Sequence, residues 1–266
     1  MDFIFIERWG GLGNQLFQYT AAVSVANHHQ SPLFFSKESM NIHNTLQNKY
    51  ADLFEYGHEV EAGGTNVLTI PGFTLFTRTS FHPWSIDEVP RKAVMMGYFQ
   101  YYPPIREIIP FICESLCRKL SERRTQMLEK YKVQDTDIFL HVRRGDYLNV
   151  SHIHFLQGRD YYETAYKLLV EKLTFQPSAV HILSDDIEWC KEQEWLMAFP
   201  GAKFINEPNE LDALALMSLI KAGAIIANST FSWWGAIFNP GSVVVYPLHW
   251  MDSVVYDLFP PSWMGI

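Results

Sequence analysis

The chain has 266 residues, of which 48% are hydrophobic and 19% charged, a balance of folded proteins at a length that suits two domains of ~100–150 residues. Twenty-one Lys and Arg face 29 Asp and Glu, a formal net charge of −8, which argues against nucleic acid or anionic lipid as a partner of the whole surface and leaves any anion to a local site. Cys113, Cys117 and Cys190 are too few for a disulfide framework, and no run approaches the ~20 apolar residues of a membrane span.

In chain order, Phe3 to Trp9 reads as an opening strand, Gly10 to Asn14 as a tight turn, and Gln15 to His29 as a helix. Leu33-Phe34-Phe35 is expected to be a second strand. The stretch to about Lys92 is punctuated by Gly63-Gly64, Pro71-Gly72 and His82-Pro83 and yields only a coarse reading. Ala93 to Phe99 reads as a strand, and Pro104 to Tyr131 as a helical region interrupted near Pro110. A boundary is expected after it, giving domains 1–133 and 134–266. In the second half, strands near 137–142, 179–183, 203–205, 223–227 and 242–246 alternate with helices near 160–173, 187–198, 209–221 and 231–238. Short apolar strands alternating with helices predict a doubly wound parallel sheet covered on both faces.

In such a sheet, ligands collect beyond the carboxyl ends of the strands. Three strand ends here carry polar clusters: His141-Val142-Arg143-Arg144-Gly145-Asp146-Tyr147, Ser184-Asp185-Asp186, and Asn228-Ser229-Thr230-Phe231-Ser232. Strand alternation puts His141 and Arg143 on one face and Arg144 on the other, where it is expected to pair with a carboxylate. The planar fork of Arg143 suits a diphosphate. Ser229 and Thr230 stand where a helix begins, and the amides of a first turn favour an anion. Asp185 can accept two parallel bonds from the N1–H and N2–H groups of guanine, although Ser-Asp before a helix also reads as a cap.

Two other chemistries compete. Asp135-Thr136-Asp137 has the Asp-x-Asp form used by metal-dependent sugar transferases, but it precedes its strand and so lies at the wrong end. Gly11-x-Gly13-x-x-Leu16 lacks the third glycine of a dinucleotide fingerprint, with Glu38 as the candidate ribose acid, so a nicotinamide enzyme ranks second.

Together Gly10-Gly11-Leu12-Gly13-Asn14-Gln15-Leu16-Phe17-Gln18-Tyr19, Gly97-Tyr98-Phe99-Gln100, His141 to Tyr147, Ser184-Asp185-Asp186 and Asn228 to Ala236 resemble the α-1,2-fucosyltransferase family. The resemblance implies a GT-B-like α/β fold with two Rossmann-like domains facing a cleft, 1–133 on the acceptor side and 134–266 binding the donor. It also implies an inverting enzyme that moves L-fucose from GDP-β-L-fucose to an acceptor glycan, in particular the 2-hydroxyl of a galactose, with no metal and no other cofactor. Carried over, it places Arg143 on the donor β-phosphate, His141 beside the nucleotide, Asp185 on guanine, and Ser229, Thr230, Phe231 and Ser232 on the diphosphate. Gly11 and Gly13 are expected to let the loop approach the donor, and Asn14 to reach its fucose or phosphate. Asp146 is the candidate base on position, with the alternative that it holds Arg143 or Arg144. The expected partners are a nucleotide sugar and an acceptor oligosaccharide, and the expected location is cytoplasmic, peripheral to any membrane that carries the acceptor. Alternatives are a binding relative without turnover and a transferase of another donor or linkage.

Overall fold

The computed structural model describes residues 2–36, 50–60, 72–78, 81–149, 154–251 and 257–266. Glu38 and the loop residue His152 therefore lie outside the described residues. The chain forms two compact units, Met1–Lys119 with Val255–Pro260, and Leu120–Val254 with Pro261–Ile266.

The first unit contains β1 (Ile4–Ile6), α1 (Leu12–His29), β2 (Leu33–Ser36), β3 (His58–Val60), β4 (Thr74–Arg78), β5 (Ala93–Gly97) and α2 (Ile109–Lys119). Its strands form a sheet in the order β3-β2-β1-β5-β4, every pair parallel. β1 is buried along its length, and α1 is buried over most of its turns, because small and aliphatic residues surround it. The helical break expected near Pro110 falls instead at Leu120. Pro110 sits in the first turn of α2, where its missing N–H costs no helical hydrogen bond.

The second unit begins with α3 (Ser121–Tyr131) and continues through β6 (Ile138–Val142), α4 (Arg159–Leu173), β7 (Val180–Ser184), α5 (Ile187–Lys191), α6 (Glu194–Met197) and β8 (Lys203–Ile205). It ends with α7 (Glu210–Met217), β9 (Gly223–Ile225), α8 (Thr230–Ile237), β10 (Val243–Tyr246) and β11 (Met264–Gly265). The expected boundary at 133/134 lies beyond α3, whereas the compact units divide at 119/120. The reason is local: Arg123 pairs with Asp212 on α7, and Arg124 donates to the Ser218 hydroxyl just after it. Both contacts tie α3 to the second unit.

All pairs in the second sheet are parallel, in the order β11-β10-β9-β6-β7-β8. Starting at β6, the chain builds outward to β8, then returns to the other side of β6 with β9. This is the order of dinucleotide-binding folds, and its switch point lies between the carboxyl ends of β6 and β9. β6 is buried at every residue, and Ile138, Leu140 and Val142 pack with Val180, Ile182, Leu169 and Ile225. Each such side chain contributes about 1.5–3 kcal/mol when fully buried. Among the described residues no helix is long and apolar enough to cross a membrane.

Candidate active site

At the end of β6 the strand gives way to Arg143, Arg144 and Gly145, followed by a 3-10 turn over Asp146–Asn149. The two arginines diverge as the strand alternation requires. Arg144 Nε donates to Asp186 Oδ2 at 3.1 Å, and its guanidinium lies 3.6 Å from the centroid of the Trp189 ring. Arg143 turns to the other side, where Nη2 meets Asp146 Oδ1 at 2.5 Å and Nη1 meets Asp185 Oδ2 at 2.9 Å. Its side chain remains 28% exposed, and those of Asp146 and Asp185 66% and 24%, so a solvent-borne ligand can compete for all three.

The paired aspartates after β7 separate into two roles. Asp186 caps α5 by accepting from Trp189 N, while its own N–H donates to the Ser184 hydroxyl at 2.9 Å. Asp185 leaves the helix and accepts from Arg144 N at 2.9 Å. This approach requires Gly145, because a Cβ there would overlap the Asp185 carboxylate. Both oxygens of Asp185 are thus engaged, Oδ2 by Arg143 and Oδ1 by the Arg144 amide.

His141 is buried on β6, with its ring 5.9 Å from that of Phe231 on α8. Burial, reinforced by the Arg143 charge, pushes its pKa down to about 3, so it is a neutral imidazole at physiological pH. Its Nδ1 is buried and has no hydrogen-bond partner among the described residues.

Across the switch point, Ser229 is the N-cap of α8, and its side chain makes no capping hydrogen bond. Phe231 is half-buried beside His141, and Thr230, the first helical residue, is also half-buried. Ser232 differs from the expectation. It is fully buried, and its hydroxyl reaches back to the carbonyls of Ser229 and Ala227 at 3.1 and 3.3 Å, the back-bonding open to a serine inside a helix.

Three residues to which the sequence reading gave no role of their own, Asn228, Tyr147 and His154, hold these pieces together. Asn228 Nδ2 donates to the carbonyls of Phe155 and Trp250, each at 2.9 Å, and the Asn228 carbonyl accepts from Tyr147 Oη at 2.9 Å. Arg143 lies 5.2 Å from the Tyr147 ring centroid, and His154 stacks on that ring at 4.3 Å. The β6 cation and the start of α8 are thus joined through one tyrosine. No spacing rule marks Tyr147 or His154, because both contacts link distant segments.

The first unit has its own switch point, between β1 and β5, and its two motifs meet there. Gln15 donates to the Gly10 carbonyl at 2.9 Å, while Gln18 accepts from Trp9 N at 2.9 Å and donates to Trp9 O at 3.3 Å. These side chains supply the partners that the loop backbone lacks. Gln100 donates to Asn14 Oδ1 at 2.8 Å, which binds the loop after β5 to α1. Gly10, and not Gly11 or Gly13, takes the left-handed turn conformation. Gly10 carries the positive φ of 79°, and a Cβ there would lie 2.8 Å from Asn14 Nδ2. Gly11 is the extended N-cap of α1 facing open space, and Gly13 is already helical. Gly97 is obligatory, since its φ is 152° and a Cβ would overlap the Arg78 carbonyl.

Asp137, from the Asp-x-Asp pair, lies at the opposite end of the second sheet. Its Oδ2 accepts from Gln134 N at 3.0 Å and meets His181 Nε2 at 2.8 Å.

Comparison with known proteins agrees with this geometry. The alpha-1,2-colitosyltransferase of Escherichia coli is 25% identical to the chain and aligns over 100% of it and 99% of the relative. The solved structure of NodZ alpha-1,6-fucosyltransferase soaked with GDP-fucose superposes with a TM-score of 0.56 at 14% identity, covering 95% of this chain and 97% of that one. POFUT1 in complex with GDP gives 0.51 at 12%, covering 92% and 98%. These two likenesses establish the mixed α/β, GT-B-like fold with parallel sheets. The family model for glycosyl transferase family 11 matches residues 93–266, well over half the chain and all three polar strand ends of the second unit. The chain therefore belongs to glycosyl transferase family 11, the fucosyltransferase family that its motifs resemble.

Proposed function

We propose that this glycosyltransferase takes GDP-β-L-fucose as donor and transfers L-fucose, with inversion and without a metal ion, to the 2-hydroxyl of a galactose in an acceptor glycan. One observation carries the reading: the Arg143 guanidinium and the uncapped first turn of α8 stand together at the switch point of a Rossmann-ordered sheet. Cation and amides there suit a diphosphate. An arriving diphosphate draws Arg143 away from Asp146 and Asp185, and Asp185 then accepts the N1–H and N2–H groups of guanine. His141 lies beside the nucleotide, and Ser229, Thr230 and Phe231 line the diphosphate. Asn14, Gly11 and Gly13 are assigned to the sugar side of the donor.

As the bond from fucose C1 to the phosphate oxygen breaks, positive charge spreads over the sugar ring and negative charge collects on GDP. Arg143 and the α8 amides stabilise that charge more in the transition state than in the ground state. Asp146 holds Arg143 in place in the absence of donor, the alternative to its role as a base. The test is incubation with GDP-fucose and a panel of β-galactosides in EDTA, followed by linkage analysis of the product. An α-1,2-fucoside formed in EDTA supports the reading; no transfer, or transfer only with added divalent ion, rejects it.

The full-length likeness to a colitosyltransferase favours a second reading. Colitose is L-fucose without its 3-hydroxyl, so the same diphosphate site would carry a 3-deoxy sugar. Competition between the two GDP-sugars separates the readings by the ratio of kcat/KM values.

A further inference from the structure

Displacement at a sugar carbon leaves one proton to place. The acceptor oxygen bonds to C1, the pair of the C1–O bond departs with GDP, and the acceptor hydroxyl gives up its proton. Most titratable groups around Arg143 are committed elsewhere. Asp185 is assigned to guanine, Asp146 is the counter-ion of Arg143 at the diphosphate end of the site, and Asp186 pairs with Arg144 and caps α5. The Tyr147 hydroxyl donates to Asn228 O, and burial pushes its pKa up to about 12. His141 is buried within the sheet and held down to about 3.

His154 is placed differently. Its ring lies 4.3 Å from that of Tyr147 at an interplanar angle of 12°, and Arg143 lies 5.2 Å from the same Tyr147 ring. The ring of the next residue, Phe155, lies 3.4 Å from that of His249 at a tilt of 30°, and its carbonyl accepts from Asn228 Nδ2. Asn228 therefore anchors both the stacking partner and the chain neighbour of His154, one residue before the cap of α8. Nδ1 of His154 is buried without a partner, and no group among the described residues hydrogen-bonds its ring.

We propose that His154 is the proton acceptor for the attacking hydroxyl, a further catalytic residue of the transfer reaction. The proposal rests on the reading above, in which the diphosphate sits at Arg143 and C1 is one bond beyond it. The proton passes from the acceptor hydroxyl to an imidazole nitrogen as C1 changes partners, and imidazolium forms beside the departing anion. Burial and the Arg143 charge hold His154 below its ordinary value, while Asp146 opposes them; Tyr147, stacked on the ring, is a further titratable neighbour among the described residues. The ring is therefore neutral and ready to accept a proton at physiological pH.

The test compares wild type, His154→Asn and His154→Gln in GDP affinity by calorimetry, KM for GDP-fucose, kcat for transfer, and the pH profile of kcat. General base catalysis is worth about 10²–10⁴-fold. A loss of kcat in that range, with GDP affinity and donor KM kept within about twofold and the acid limb of the profile abolished in both variants, supports the role. Wild-type kcat, or an unchanged acid limb, overturns it. A parallel loss of GDP affinity in both variants also overturns it, since His154 would then only support the donor site. If the wild type itself binds no GDP and transfers no fucose, the reading of the function has failed and this inference falls with it.

Discussion

The second sheet carries a histidine, an aspartate and a cation at each end, and only one end has the form of a site. At the amino end Asp137 and His181 are 1% and 0% exposed, joined at 2.8 Å, with Lys203 at 3.9 Å. At the carboxyl end Arg143, Asp146 and Asp185 are paired at similar distances but remain open to solvent. The same residue types thus serve two purposes. Groups sealed from water and bonded to each other hold strands together, whereas groups paired at a strand end beside an uncapped helix can exchange partners with a ligand.

The largest effect is expected from Asp137→Ala, which strips Gln134 N and the buried His181 of their acceptor. Loss of a buried pair partner costs about 3 kcal/mol or more; urea denaturation should show that loss while GDP affinity per folded molecule stays at the wild-type value. Gly145→Ala is the complementary change. A Cβ displaces the Asp185 carboxylate, and calorimetry should find GDP binding weakened by about tenfold, or 1.4 kcal/mol.

Acidification tests both ends together. His141, His154 and His181 all have pKa values lowered by burial. Below the ordinary value of about 6.5, the unfolded chain binds protons that the folded one refuses, so stability should fall as pH drops from about 6.5 toward the folded value of His141, about 3. Above that window these groups add no slope. His141→Gln should flatten the dependence of the urea midpoint on pH within it, and an equally steep slope in the variant would remove His141 from the account. The smallest effect is expected from Asp146→Asn. An exposed ion pair is worth about 0–1 kcal/mol, so stability should move by no more than that, whereas GDP affinity should rise because a competitor for Arg143 is gone.

How much of this was legible in the chain follows from burial. β6 and β7 are covered on both faces and read as continuous apolar runs, so the second sheet could be drawn from the sequence. β3 and β4 are edge strands with mostly exposed residues; His58-Glu59-Val60 and Thr74 to Arg78 carry no such run, and β11 is too short to signal itself. In the site, the divergence of Arg143 and Arg144 followed from alternation. The inward turn of Ser232, the shift of the turn glycine to Gly10, and the Tyr147, Asn228 and His154 linkage did not, because each depends on a carbonyl or ring brought in from elsewhere in the chain.

In the proposed function Arg143 and the first turn of α8 hold a diphosphate without a divalent ion. Calorimetric titration of GDP in EDTA, for wild type and Arg143→Ala side by side, tests it most directly. The account expects binding by the wild type and a loss of about 1.5–3 kcal/mol in the variant, as for other hydrogen bonds to charged groups. Equal affinity in the two proteins, or wild-type binding that appears only when magnesium is restored, would contradict it.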